Sequence, residues 1–141
     1  MIKVYYNKLY PCYINKNIIA SVVKEVASIL KKKDFELEIN VVDDVLMKKI
    51  NKDWRGINKT TDVLSFAWEE DKKIKSNYIG QIYISYPQIK KQAKEFKLSI
   101  KEEFFRMIVH SLLHLWGYDH KNKKQEKTMF DLQEQILLKL I

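Results

Sequence analysis

Apolar positions along this chain follow two periods, and the changes between them mark out the elements. Ile2-Lys3-Val4-Tyr5-Tyr6 predicts a short strand over residues 2–6. Ile18, Val22, Val26, Ile29 and Leu30 then form one helical stripe, with Asn17 placed to cap its start and Lys31-Lys32-Lys33 at the end where positive charge is favourable. Phe35, Leu37, Ile39 and Val41 alternate with Glu36, Glu38 and Asn40, the period of a half-buried strand. Asp43 or Asp44 caps a short helix through Leu46 and Ile50 that leads into a loop holding Arg55. Residues 61–68 and 79–85 read as two strands paired antiparallel through the charged loop around Asp71 to Asn77.

The second half reads as helical. Ser85 with Pro87 opens a helix that turns Ile89, Ala93 and Phe96 inward, and Ser99 with Glu102 forms a capping box at the head of the next helix. From Phe104 to Trp116 that helix is apolar nearly all round, with Arg106 its one charged residue, so it is expected to be buried. Asn122 opens a last helix with Met129, Leu132, Ile136 and Leu140 at helical spacing. These elements predict an α+β fold with one small mixed sheet of about four strands packed by about five helices. The order of the strands does not follow from the pattern.

Length and composition narrow the picture. At 141 residues the chain is the size of one domain, so 1–141 is expected to form a single unit. No stretch reaches the roughly 20 apolar residues of a membrane span, and Met1 to Asn17 has no apolar core of a signal peptide. The lone Cys12 excludes an intramolecular disulfide and suits a reducing compartment, so a soluble cytoplasmic protein is expected. The net charge of +8 favours a polyanionic partner, although most of the excess is lysine in clusters that ordinarily lie at solvated helix ends. The cluster at Lys121, Lys123 and Lys124 is the one adjoining candidate chemistry.

That chemistry is a histidine motif. All three histidines fall in His110-Ser111-Leu112-Leu113-His114-Leu115-Trp116-Gly117-Tyr118-Asp119-His120. On a helix His110 and His114 share one face a turn apart, and Gly117 can end the helix in a left-handed conformation that brings His120 round as a third ligand. A single histidine on an apolar face is ordinarily a core residue, but two imidazoles on a buried helix need partners for their nitrogens, and one shared metal supplies both. Three imidazoles with one open position match a catalytic zinc rather than a structural one, with nickel, copper or cobalt also compatible. The spacing H-x-x-x-H-x-x-G-x-x-H is that of metzincin peptidases, yet Ser111 stands where they carry the glutamate general base. Serine is no base without an activating partner, so peptide hydrolysis is disfavoured.

A second segment, Trp54-Arg55-Gly56-Ile57-Asn58-Lys59-Thr60-Thr61-Asp62-Val63-Leu64-Ser65-Phe66, holds one of only two arginines, Arg55 and Arg106, among 26 basic residues. Arginine in so lysine-rich a chain fits a role needing its planar fork on a phosphate or carboxylate, with a surface ion pair as the ordinary alternative. Trp54, Phe66, Trp68 and Trp116 can stack unpaired bases, although most such residues serve as core.

Together the two segments resemble the YbeY endoribonucleases, bacterial rRNA maturation factors, over about residues 3–141. The resemblance implies a zinc-dependent, single-strand-specific endoribonuclease acting in 16S rRNA 3′-end processing and ribosome quality control. It places the zinc ligands on His110, His114 and His120 and the active-site arginine on Arg55, with rRNA and ribosomal particles or proteins as partners. Ser111 replaces a frequent glycine, and Gln81 replaces a usual aspartate, which puts a carboxylate role at that position in doubt. Asp62 and Asp119 are candidates for orienting a histidine or a loop. Two further readings stay open: a non-catalytic, metal-stabilised assembly factor that binds rRNA, and a metallopeptidase-like hydrolase.

Overall fold

The computed structural model describes residues 1–68 and 77–140. Along these the chain forms β1 (Ile2–Lys8), α1 (Lys16–Ile29), β2 (Phe35–Val42), α2 (Asp44–Arg55), β3 (Val63–Ala67), β4 (Tyr78–Ser85), α3 (Tyr86–Glu95), α4 (Ile100–Leu115) and α5 (Lys123–Leu140). The fold is the expected α+β domain with one mixed sheet, ordered β1-β2-β4-β3. β1, β2 and β4 run parallel, and β3 pairs antiparallel with β4 at the sheet edge. The segment around Asp71, Lys72, Lys73 and Lys75, expected as the connecting loop, lies outside the described residues except for Asn77. No helix of the described residues is long and apolar enough to cross a membrane.

Alternation along each strand decides what the sheet's two faces do. Leu37, Ile39 and Val41 of β2 with Ile82 and Ile84 of β4 point to one face and are fully buried. They form the core with α1, α4 and α5, to which Val23, Val26, Phe104, Ile108, Leu112 and Ile136 contribute. The other face carries Glu36, Glu38, Gln81 and Tyr83. Among the described residues it is covered near α2, where Val42, Met47 and Leu64 make a small second cluster.

Local differences from the sequence expectation have local causes. α1 is capped by Asn15 rather than Asn17, its side chain accepting from the Ile18 N–H at 3.0 Å. Ile14 and Ile19, the two positions of a hydrophobic staple around that cap, are both fully buried, and this fixes the earlier start. Lys31 to Lys33 stand beyond α1, whose last turn has no basic residue. Phe96 was expected inward but is 60% exposed, because α3 ends at Glu95 and the helical face no longer applies beyond it. β3 begins at Val63 rather than Thr61, since the Asp62 side chain accepts the Val63 N–H at 2.8 Å and holds a turn there. Ser99 caps α4 by accepting from the Glu102 N–H at 3.0 Å, and Asn122 does the same for α5 with Gln125 at 2.9 Å.

α4 sits close to the sheet because β4 has a glycine at the crossing. Gly80 has φ +149°, and a Cβ there would lie 2.3 Å from the Phe66 carbonyl oxygen and 2.9 Å from Leu115 Cδ2. Gly80→Ala therefore combines backbone strain with a clash at the end of the histidine helix. We expect it to destabilise the chain by about 3 kcal/mol, seen as a lowered urea midpoint with an unchanged slope. A loss below about 0.5 kcal/mol would show that the helix and sheet can separate there freely.

Candidate metal centre

The last turns of α4 present His110 and His114 outward from an otherwise buried helix. Ser111, Leu112 and Leu113 between them are fully buried, while both imidazoles are half-buried. The helix ends as the sequence predicts: Trp116 is the cap, Gly117 has φ 97°, the Gly117 N–H bonds the His114 carbonyl at 3.0 Å, and the Tyr118 N–H bonds that of Leu113 at 2.9 Å. This pair of bonds is a Schellman ending, and it reverses the chain. His120 thereby returns to the other two, with ring centroids 5.0 Å from His114 and 6.1 Å from His110, while His110 and His114 are 4.8 Å apart.

One potential ligand nitrogen from each ring lies within 4.8 Å of the others. No fourth histidine, cysteine or carboxylate joins this group among the described residues. Three imidazole nitrogen donors with an open fourth position suit a borderline-soft divalent ion. Burial, and then the neighbouring His110 and His120, hold the His114 imidazole below its ordinary value of 6.5, so it is neutral and able to ligate at pH 7. Without metal that same shift makes stability fall as pH drops below 6.5, since the unfolded chain takes up the proton first.

Gln133 joins the site with no motif to mark it. This α5 residue is 6% exposed, and its Oε1 lies 2.8 Å from His110 Nδ1. The amide oxygen accepts from the ring N–H, which leaves Nε2 of His110 as the free ligand atom. The next residue, Glu134, pairs with Arg106, which also lies 3.5 Å from Glu103, so α5 is fastened to α4 beside the histidines. Glu103 is buried, and burial pushes its carboxyl up from the ordinary range, with Arg106 offsetting part of the shift. Helical spacing places Gln133 on the inner face with Met129 and Ile136, but nothing local reveals which residue it meets.

The histidines line one side of a cleft of about 570 Å³, and Arg55, Asp62, Ser65, Met107 and Asp119 line the rest. Arg55 is the last residue of α2 rather than part of a loop, and Gly56 closes the helix with φ 72°. Asn51 holds the following segment by donating to the Lys59 carbonyl at 2.9 Å, and Thr60 donates to Asp44 at 3.0 Å. The structure thus brings Arg55 to the cleft of the three histidines. No hydrogen bond or ion pair ties its guanidinium among the described residues.

The remaining candidates divide. Asp119 accepts the His120 backbone N–H at 2.7 Å, so it orients the third histidine through the main chain, and that bond holds its carboxyl below the ordinary range. Asp62 accepts from Val63 N–H, Thr61 Oγ1 and Gln92 Nε2, and so fastens the cleft wall. Gln81 lies on the other sheet face, accepting from Tyr83 Oη at 2.8 Å, and is absent from the cleft lining. Position 81 therefore does not line the cleft. Ser111 is fully buried and faces the core, so it cannot act on a substrate. Lys121 lies 3.7 Å from Asp119 at the rim.

The fold and cleft define an α+β enzyme domain with a three-histidine cluster able to hold a metal ion. A family model described as "Endoribonuclease YbeY" matches residues 8–141, and the chain belongs to that family. It is 40% identical over 134 residues to endoribonuclease YbeY of a Sulfurihydrogenibium species, covering 94% of this chain and 88% of that protein. The YbeY of Ureaplasma parvum is 38% identical over 138 residues, covering 98% of this chain and 86% of that one. Among solved structures, the solution structure of TM1509 from Thermotoga maritima matches with a TM-score of 0.68 at 26% identity, covering 99% of this chain and 89% of that chain.

Proposed function

We propose that the cleft is the active site of a zinc-dependent endoribonuclease that cuts single-stranded RNA. Its cellular setting would be the cytoplasm, in rRNA maturation that includes the 16S 3′ end and ribosome quality control, with ribosomal particles or proteins as partners. The observation that carries the reading is Arg55 on the wall of the cleft whose other side holds the three histidines. His110, His114 and His120 would hold the ion, and a bound divalent ion supplies Lewis acidity toward water or a phosphoryl oxygen. Arg55 binds the non-bridging oxygens of the phosphodiester and offsets the charge that builds on them. Gln133 and Asp119 fix the His110 ring and the His120 backbone before substrate arrives.

The direct test is cleavage of a defined single-stranded RNA by zinc-loaded protein, before and after chelation, with His114→Ala and Arg55→Ala prepared alongside. Activity that disappears on chelation and in both variants supports the reading. Binding of ribosomal particles without cleavage by any form would favour the assembly-factor alternative. Gln133→Leu should weaken zinc binding roughly 10- to 100-fold in competition with a chromophoric chelator, with Gln133→Glu restoring most of the affinity. Unchanged affinity in Gln133→Leu would reduce this residue to a packing role.

A further inference from the structure

The sheet face opposite the main core carries a run of aromatic rings outside the cleft, of which Phe66 and Tyr83 pack against the small cluster of Val42, Met47 and Leu64. Trp54, next to Arg55 at the end of α2, is 75% exposed, and its ring lies 6.1 Å from Phe66. Phe66 lies 6.0 Å from Tyr83. Trp68, on the same side of the chain as Phe66 and about 7 Å further along it, is 56% exposed and packs edge-on to Tyr78 at 5.6 Å. Both indoles, expected for the most part as core, are thus set on the surface, whereas Trp116 is half-buried against Phe35 at 5.3 Å. The rings meet edge-on or tilted, so they do not cover one another's faces.

We propose that Trp54, with Phe66 beneath it and Trp68 beyond, stacks the bases of single-stranded RNA whose backbone passes Arg55 into the cleft. The inference rests on the endoribonuclease reading and names where the substrate lies outside the cut. β3 is the shared wall: Ser65 and Ala67 line the cleft, while Phe66 and Trp68 alternate to the opposite side. Charge favours the same path. Lys48, Lys49, Lys52, Arg55 and Lys59 surround Trp54 in sequence against Asp53 alone, whereas the acidic Glu36 and Glu38 sit on β2 at the far side of β4. Those two carboxylates are engaged by Tyr5, Asn7 and Tyr78. A polyanion is therefore drawn to the α2 end of the face, where Trp54 stands, whereas Trp68 lies toward Tyr78 and Glu38 and is followed in sequence by Glu69, Glu70 and Asp71. Aromatic faces accept any base, which suits a single strand without fixed sequence.

The test is stopped-flow anisotropy, ahead of cleavage, with the metal-loaded protein. The probes are a labelled single-stranded RNA of about 12 nucleotides and a strand of equal length with abasic internal positions. Trp54→Ala should bind the base-bearing strand about 10-fold more weakly and the abasic strand as the unaltered protein does, with Trp54→Phe recovering most of the loss. Arg55→Ala should weaken both strands alike, since it contacts phosphate. Equal loss on both strands in Trp54→Ala would overturn the stacking role. So would unaltered RNA binding in Trp54→Ala while Arg55→Ala loses it, and that result leaves the endoribonuclease reading standing. A dimer in sedimentation that Trp54→Ala dissolves would instead assign the face to a second copy of the chain. Failure of the unaltered protein to bind either strand would overturn the stacking proposal and the functional reading together.

Discussion

His114→Ala should abolish RNA cleavage and, independently, the stabilisation that zinc confers. His114 is the central ring of the cluster, 4.8 Å from His110 and 5.0 Å from His120, so its loss leaves the most widely separated pair. Two imidazoles at a partly open position hold zinc far more weakly than three, and a loss of at least about 100-fold in affinity is expected. In the unaltered protein zinc at 100 times its dissociation constant should add about 2.7 kcal/mol of stability, which disappears in the variant. A thermal melt with and without zinc reads this without any assay of RNA. His114 is half-buried on a helix face that opens to the cleft, so alanine removes little core packing and the metal-free melts should nearly coincide. An undiminished zinc shift in His114→Ala would place the ion elsewhere and remove the basis of the proposed mechanism.

Arg55→Ala should lower kcat on single-stranded RNA by about 100- to 1,000-fold, the usual effect of removing one preorganised donor from a site of developing charge. Arg55→Lys should recover only part of this, because an ammonium supplies a point charge and not two parallel hydrogen bonds. The stability change should stay within about 1 kcal/mol, since Arg55 is exposed at the end of α2 and its main structural contribution is its charge beside the helix carbonyls. Zinc affinity should not move. A variant that keeps full kcat would assign Arg55 to the surface role that arginines ordinarily have; one that loses zinc as well would show that the substitution had disturbed the fold of the cleft.

Much of the fold was legible because its determinants are local. Alternation in β2, the stripe of α5 and the caps at Ser99 and Asn122 depend on residues within a few positions of each other, and the structure reproduces them. Where the structure departs from the local pattern, a neighbour in space decides. α1 is capped at Asn15 because Ile14 is pinned in the core, and Phe96 is exposed because α3 stops before it. The surface placement of Trp54 and Trp68 could not be read either. An indole carries the same hydrophobic signal in a core and on an open sheet face, and what distinguishes the two here is that, among the described residues, α2 is the helix that covers this face.

The histidine cluster itself was determined by sequence, since a helical i, i+4 pair followed by a glycine reversal needs only one helix and its ending to bring three rings together. Tertiary structure decided what faces that cluster. The order β1-β2-β4-β3 sets β3 at the edge beside α4, and α2 then delivers Arg55 to the cleft wall from 55 positions before His110 in the chain. Gln133 reaches His110 across 23 residues only because α5 packs on α4. Such meetings follow from which apolar faces bury one another across the whole core, a sum over distant contacts that no local spacing records.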